Sequence, residues 1–486
     1  MGVKISSNLS LIAPLLAAAF FRALPLLTHR FHPDEALYAS FGRLIASGRD
    51  GLLAQTLVDK PPLMFYLLAG SFSLFGGNEF AARLPNFFAD VVSVALVFAL
   101  ARTVYNRSIA RLAAWLYALS PFAISFAVTT FMDPLLTMFF LWSLQCAAQG
   151  RLGWAAFAWG LALATKQTAL IFLPLIILLA LSRLPPRSPA QLLRSAIPFA
   201  IALTLTITLI LAWDGSRLQF GAPVSFWEQG YTDNVPNRFA RSGEVYLRAL
   251  GWLELLSYIT ASAPLNLIFI LGLPLLLLFA LKKPSIASTI DFLLSAYLLL
   301  YLAAYWLLPF SVWDRYLVPL IPLILILFAR VVEKMIGGGL FHVSRFALHA
   351  GLLALLLPSA FLASQARYPI GGDKGAYLGL EDAARYLNQL PYETVLYDFW
   401  LSWQWNFYLF DSKVYVAWMP NPAALEADLR SFGRTSPRYL VVPSWESEAE
   451  TRAAASRAGF SFTPVHTSFR PDGSPAFVIY QLAPSP

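Results

Sequence analysis

The chain has 486 residues, of which 58% are hydrophobic and only 13% charged, and its mean hydropathy is +0.61. Soluble globular domains and disordered chains are much less apolar, so this composition excludes both classes and indicates a membrane protein with several spans. The net charge of +8 does not indicate nucleic-acid binding, because the Lys and Arg residues are scattered through short loops between apolar runs.

One polar stretch, residues 28–60, follows the first apolar run and concentrates charged side chains. It contains the neighbouring carboxylates Asp34 and Glu35 and, further on, Asp59 beside Lys60. Such groups are costly in a largely apolar chain unless they lie at a membrane surface or in a wet cavity. We therefore predict that this stretch is an active-site loop.

The apolar runs predict a polytopic helix bundle. Run 152–182 is interrupted by Lys166 and Gln167, so it predicts two short helices, 152–166 and 167–182. The other runs that are long enough to span fall at 9–27, 81–104, 109–127, 132–148, 195–213, 263–281, 290–309, 316–334 and 342–362.

Segment 62–75 decides the predicted topology. It is short, begins at a Pro-Pro pair and stops at Gly76, which suits an interfacial or re-entrant helix as well as a span. The basic clusters of the loops all fall on the cytoplasmic side only if this segment does not cross. We then expect eleven spans in the plasma membrane, with the N-terminus inside and loop 28–80 and the C-terminus extracytoplasmic.

From about Gly372 the composition becomes that of a small α/β domain. We therefore expect a membrane domain at 1–371 and a soluble extracytoplasmic domain at 372–486. In the latter, strand-length apolar stretches alternate with helical patterns. The predicted strands are 394–400, 413–418, 438–443 and 477–482, and the predicted helices are 380–390, 422–432 and 447–458.

Asp34 is the leading catalytic candidate. Pro33 and the apolar spacing after it predict an amphipathic helix along the membrane surface, with Asp34 near its N-terminus. Helix capping would explain one carboxylate but not the adjacent Glu35. A carboxylate held as the anion at a helix start can accept a proton from an attacking hydroxyl or amine, or hold a metal ion.

Five further charged residues are candidates for substrate contacts or for structural pairing. Lys60, stiffened by two prolines, suits a lipid phosphate, although an ordinary snorkelling lysine would look the same. Asp133 precedes a proline and an apolar run, so an N-cap explains it structurally. Arg83, Lys166 and Arg315 are single cations at the edges of, or inside, apolar runs, where they could be paired. Arg315 is the best phosphate candidate of the three, because the topology puts it on the active face.

The Asp34-Glu35 pair after the first helix, together with DKPPLMFYLLAGSFSLFGGNEFAARLP at 59–85, resembles the bacterial GT-C glycosyltransferases. Within them the match is to the group of protein O-mannosyltransferases and lipid A aminoarabinose transferases. The resemblance covers residues 9–182 by sequence and the later helices by layout. It implies an inverting transfer of a sugar from a polyprenyl-phosphate donor, at the outer face of the membrane.

The resemblance also implies roles for individual residues. Asp34 corresponds to the catalytic aspartate of the family, with Glu35 as its partner, and Asp133 corresponds to a second important aspartate. Lys60 stands where the family has its donor-phosphate lysine. Asp59 stands at a metal-associated position, which makes a divalent metal ion a candidate cofactor.

The sugar and the acceptor stay open. Leu37 replaces an arginine of the aminoarabinose transferases, and the predicted loop 214–262 lacks their metal-binding histidine. Both differences argue against lipid A as acceptor and against a bound metal. A protein, a lipid or a glycan acceptor would need the same core. The alternatives are a transporter or flippase of lipid-linked sugars, for which Lys166 is the clearest midplane charge, and a non-catalytic membrane scaffold.

Overall fold

The structure, a computed structural model, describes residues 5–27, 30–183, 189–282, 285–337 and 344–485. It divides into two compact units. The first, called the membrane unit below, contains Met1–Thr28 and Leu44–Gly371. The second, called the C-terminal unit, contains His29–Arg43 and Gly372–Pro486.

Helices dominate the chain up to Ser364. They are α1 (Ile5–Ala23), α2 (Pro33–Ala46), α3 (Leu63–Phe75), α4 (Glu79–Val104), α5 (Arg107–Ala118), α6 (Pro121–Ala127), α7 (Asp133–Ala148), α8 (Leu152–Thr165), α9 (Ala169–Arg183), α10 (Pro189–Gln219), α11 (Phe226–Asn234), α12 (Ser242–Ser257), α13 (Ala263–Lys282), α14 (Ile286–Leu307), α15 (Ile321–Gly337) and α16 (Arg345–Ser364). Short 3₁₀ helices occupy Leu24–Leu27 and Asp314–Leu320. Residues 214–262, expected as a loop, are therefore largely helical.

The predicted break in run 152–182 is confirmed. Lys166 has an extended backbone (φ −156°, ψ 137°) and ends α8, and α9 begins at Ala169. Segment 62–75 forms α3, which stops at Gly76 because the chain turns there with φ +82°, a conformation that favours glycine. Asn78 then caps α4 by accepting a hydrogen bond from the Ala81 N–H.

Within the described ranges, six helices are long and apolar enough to cross a membrane, and α5 with α6, bent by 56°, would make a seventh. Several predicted spans form helices that are too short to cross a membrane singly. α7, α8 and α9 have 16, 14 and 15 residues, whereas a span needs about 20. The count of eleven crossings stays a prediction.

A buried polar group ties α1, α4 and α5 together. Arg22, which is fully buried, pairs with Asp90, and the Tyr117 hydroxyl donates to the same carboxylate at 2.6 Å. Arg22 also donates to the Ala118 carbonyl oxygen at 2.8 Å. A charge pair in an apolar bundle is tolerated when its remaining hydrogen bonds are made in this way.

The C-terminal unit contains a five-stranded mixed sheet in the order β2-β1-β3-β5-β4. β1, β2 and β3 are parallel, and β5 is antiparallel to β3 and β4. The elements are α17 (Leu380–Leu387), β1 (Val395–Asp398), α18 (Ser402–Tyr408), β2 (Tyr415–Trp418), α19 (Pro422–Phe432), β3 (Arg438–Pro443), α20 (Ala449–Arg457), β4 (Phe460–Phe469) and β5 (Pro475–Pro484). The predicted α/β class is confirmed.

Both faces of this sheet are covered, as the strand alternation requires. Leu396 of β1 packs with Leu380 of α17 and Trp405 of α18 in one cluster. Its neighbour Tyr397 packs with Leu425 of α19 in the other. The sequence missed α18 and β4. β4 is an edge strand with a proline and two register irregularities, so its alternation is weak.

Candidate active site

Asp59 and Lys60 lie at the entrance to α3. Lys60 is only 6% exposed, and its ammonium group contacts the Asp59 carboxylate. The Asp59 carbonyl oxygen accepts a 2.6 Å hydrogen bond from the Gln167 side-chain amide, which follows the break between α8 and α9. The dipeptide is therefore fixed through both its side chains and its backbone.

Asp133 and Lys166, distant in sequence, form a buried ion pair. The Lys166 ammonium lies 2.7 Å from a carboxylate oxygen of Asp133, and the two side chains are 8% and 3% exposed. The same ammonium lies 5.5 Å from the centroid of the Tyr316 ring. The expected N-cap role of Asp133 is wrong: α7 has Met132 at its N-cap position, and no side chain makes the capping bond.

Arg315 completes a group of cations. Its guanidinium stacks over Trp313 at 4.1 Å and lies 5.4 Å from the Phe131 ring centroid. Lys166 lies over the ring of Tyr316, the residue after Arg315. Its neighbour Gln167 bonds to Asp59, the residue before Lys60. The charges of Arg315 and Lys60 therefore act on Lys166. We name Lys60, Lys166 and Arg315, with Asp59 and Asp133, the cation cluster. It brings three positive and two negative side chains together near the starts of α3, α7 and α9.

One wall of the cation cluster comes from α11. A Cβ on Gly230 would meet the Asp59 carbonyl oxygen and the Gln167 amide nitrogen at 2.6 Å each, so only glycine permits this approach. One turn further on, the Asn234 amide nitrogen lies 3.5 Å from a carboxylate oxygen of Asp59. The mixture of polar and aromatic residues in this stretch did not predict such a wall.

Arg83, predicted to contact substrate, is fully buried within the membrane unit and donates to the Leu26 carbonyl oxygen at 3.1 Å. This bond joins α4 to the turn after α1 and explains in structural terms why an arginine lies at this position. Its substrate role stays a prediction.

Asp34 and Glu35 belong to the C-terminal unit, on the first turn of α2. Glu35 is 1% exposed, and its carboxylate accepts the His32 backbone N–H at 3.1 Å. This is the return half of a capping box, in which an acidic residue at the third helical position satisfies the N-cap amide. The carboxylate that accepts the N-cap amide of α2 is thus Glu35.

The segment that carries Asp34 is anchored at both ends. Arg30 pairs with Glu381 of α17 at 2.7 Å, and Arg43 pairs with Asp411 at 2.6 Å. Arg43 also donates to the Phe407 carbonyl oxygen at 2.8 Å. These contacts fix both ends of the segment within the C-terminal unit.

Tyr377 is a neighbour of Asp34 that the sequence did not indicate. Burial raises the pKa of its hydroxyl, and the charges of Asp373 and Asp34 raise it further. The hydroxyl therefore keeps its proton at neutral pH, and it lies within range of the charge of Asp34.

The described ranges contain no set of side-chain ligands for the divalent metal ion that the resemblance implies. There, no three His, Cys, Asp or Glu side chains are grouped so that they could hold an ion. The carboxylate of Asp59 is paired with Lys60. This donor set does not fit a divalent metal held by three protein ligands.

Comparison with known proteins agrees with this architecture. Residues 59–213 match the family model described as dolichyl-phosphate-mannose-protein mannosyltransferase. The undecaprenyl phosphate-alpha-4-amino-4-deoxy-L-arabinose arabinosyl transferase 2 of Proteus mirabilis is 27% identical over 234 residues, which are 43% of this chain and 41% of that protein. The chain thus spans about two fifths of this relative's length.

Two crystal structures of ArnT from Cupriavidus metallidurans share the fold. The apo form aligns with a TM-score of 0.69 and covers 98% of both chains. The form bound to undecaprenyl phosphate aligns with a TM-score of 0.64 and covers 99% of this chain and 98% of that one. Both are 15% identical to this chain. The chain therefore has the fold of the GT-C membrane glycosyltransferases, and the resemblance predicted from the sequence is confirmed.

Proposed function

We propose that the protein is an inverting glycosyltransferase that moves a sugar from a polyprenyl-phosphate donor to an acceptor at the outer face of the membrane. The cation cluster is the observation that carries this proposal. Lys60, Lys166 and Arg315 come together from three separate stretches of a chain that is only 13% charged. A cluster of cations near the starts of apolar helices suits a lipid phosphate, whose tail stays among apolar helices.

The relatives support this class of donor. The Proteus mirabilis relative is named for an undecaprenyl-phosphate-linked sugar, and one of the ArnT structures holds undecaprenyl phosphate. A polyprenyl-phosphate sugar already carries an activated bond, so the enzyme needs only a base for the acceptor and cations for the departing phosphate.

In the proposed step, an oxygen or nitrogen of the acceptor attacks the anomeric carbon of the sugar. The bond from that carbon to the phosphate oxygen breaks, and its electron pair stays on the polyprenyl phosphate. Lys60, Lys166 and Arg315 stabilise this developing negative charge. Asp34 takes the proton of the acceptor, and Glu35 holds the start of α2 in place.

The pairing of Lys166 bears on the transporter alternative. That alternative relied on Lys166 as a midplane charge, and the ammonium is instead paired with Asp133 in a buried contact. The nearby cations Lys60 and Arg315 favour a site that binds a phosphate in place over one that carries a substrate across the membrane. We therefore prefer the transferase.

Asp34→Asn tests the proposed base. Asparagine keeps the size of the side chain but removes the charge that draws the proton, a step worth roughly 10²–10⁴-fold in rate. We expect wild-type protein to restore a glycoconjugate that mass spectrometry finds missing in a deletion strain, and Asp34→Asn to leave it missing.

Glu35→Gln is the matched control. Glutamine also serves at this position of a capping box, so α2 should persist and the glycoconjugate should return. Restoration by Asp34→Asn at the wild-type level would show that the base lies elsewhere. Loss with Glu35→Gln as well as with Asp34→Asn would contradict the assignment of Glu35 to capping alone.

A further inference from the structure

We infer that the buried pair Asp214–Arg217, at the end of α10, is a positioning device that sets the Asp59-Lys60 dipeptide for the donor phosphate. Arg217 is fully buried and Asp214 is 4% exposed, and their charged groups lie 2.9 Å apart. A buried ion pair by itself contributes little net stability. This pair differs from others because its remaining hydrogen bonds hold both the loop that precedes Asp59 and the helix that packs against Asp59.

Arg217 holds the chain that leads into Asp59. Its Nε donates to the Leu53 carbonyl oxygen, and its Nη2 donates to the Thr56 carbonyl oxygen, both at 3.1 Å. The planar fork of a guanidinium fixes the spacing of two such acceptors, which a flexible ammonium does not. The loop is thus held three residues before the dipeptide.

The loop that Arg217 holds, which contains Leu53 and Thr56, is under backbone strain. Leu53 is fully buried and has φ +56°, a left-handed conformation that is unfavourable for a side chain with a Cβ. Asp50 supports the same turn by accepting the N–H groups of Ala54 and Gln55 at 2.8 Å each. A strained residue persists only where its surroundings over-determine it, and Arg217 is one of the groups that do so.

Asp214 holds the opposite wall. Its carboxylate accepts the Ser225 hydroxyl at 2.5 Å and the Phe226 N–H at 3.2 Å, which fixes the start of α11. α11 then brings Gly230 against the Asp59 carbonyl oxygen. One ion pair therefore locates both the loop before Asp59 and the helix packed against it.

This inference rests on the proposed function, because it assigns the pair to the lipid-phosphate site. Lys60 must present its ammonium group at one point if it is to meet a phosphate, and a displacement of its loop weakens that contact. Arg217 acts through Lys60 and does not itself touch the donor.

Arg217→Lys tests the inference with undecaprenyl phosphate as the probe. Lysine keeps the charge that Asp214 needs, so the protein should still fold, but it cannot reproduce both loop bonds. We expect the Kd for undecaprenyl phosphate, measured on purified protein in nanodiscs, to rise roughly tenfold, as the loss of one charge-assisted hydrogen bond would produce. In a Lys60→Ala background the same change should have little further effect, because the two residues act as one unit.

Asp90→Asn is the matched control. It breaks another buried pair of the membrane unit, Arg22–Asp90, which none of the contacts described above links to the Asp59 loop. It should lower the unfolding temperature and leave the Kd unchanged. Wild-type affinity in Arg217→Lys, an equal loss in Asp90→Asn, or additivity with Lys60→Ala would each overturn the positioning role. Failure of the wild-type protein to bind undecaprenyl phosphate would overturn the proposed function itself, together with this inference.

Discussion

The Asp133–Lys166 pair allows phosphate binding to be separated from stability. Lys166→Met leaves the Asp133 carboxylate buried without the ammonium that lies 2.7 Å away. Breaking a buried pair in this way costs about 3–5 kcal/mol, whereas replacing both partners by apolar side chains is often neutral. We therefore expect the unfolding temperature to fall in Lys166→Met and to recover in the double variant Lys166→Met, Asp133→Leu.

Binding of the donor phosphate should not recover with stability. If Lys166 contacts the phosphate, its loss removes a charge-assisted interaction of about 1.5–3 kcal/mol, or roughly ten- to a hundredfold in affinity. The affinity for undecaprenyl phosphate should therefore stay low in both variants. Lys282→Met removes an exposed lysine at the end of α13 and should change neither quantity. Wild-type affinity in the double variant would show that Lys166 serves only to neutralise Asp133.

Three further predictions follow from other contacts. Gly230→Ala should weaken undecaprenyl phosphate binding, because its Cβ would meet a backbone carbonyl oxygen and an amide nitrogen at 2.6 Å; Gly215→Ala, with nothing within 4 Å, should not. Burial raises the pKa of Asp398 to about 6, above about 3.9 in the unfolded chain. Its stabilising contribution is therefore full below pH 4 and lost as the pH rises through 6, so Asp398→Asn should remove a decline in unfolding temperature between these values. Finally, an impermeant maleimide should label both Ser47→Cys and Ser431→Cys in intact cells, since both residues are exposed; labelling of only one would contradict the proposed extracytoplasmic location.

The sequence alone determined the class of the protein and most of its helices. Apolar runs must form helices in a membrane, because every backbone polar group has to be satisfied within the segment. The break at Lys166 was readable because a lysine and a glutamine interrupt an otherwise apolar run. The stretch at 59–85, together with Asp34-Glu35, likewise indicated the fold family through its resemblance to the GT-C glycosyltransferases.

Local pattern did not show which carboxylate caps α2. Asp34 and Glu35 are adjacent and equally able to accept a hydrogen bond, so spacing alone left the assignment open. The backbone geometry at His32 decides it, because the third helical position faces back towards the N-cap amide. The capping residue can therefore be distinguished from the neighbouring candidate base only when the residue at which the helix begins is known.

The cation cluster was decided by tertiary structure only. Lys60, Lys166 and Arg315 are separated by more than a hundred residues each, and nothing in their neighbourhoods specifies a common site. Asp133 looked like an N-cap because its partner lies two helices further along the chain. Which charged residues form pairs depends on the arrangement in which the helices pack. Hydrophobic periodicity predicts only that the helices pack. Local sequence patterns therefore predicted the helical scaffold, and the packing of the helices determined which charged side chains meet.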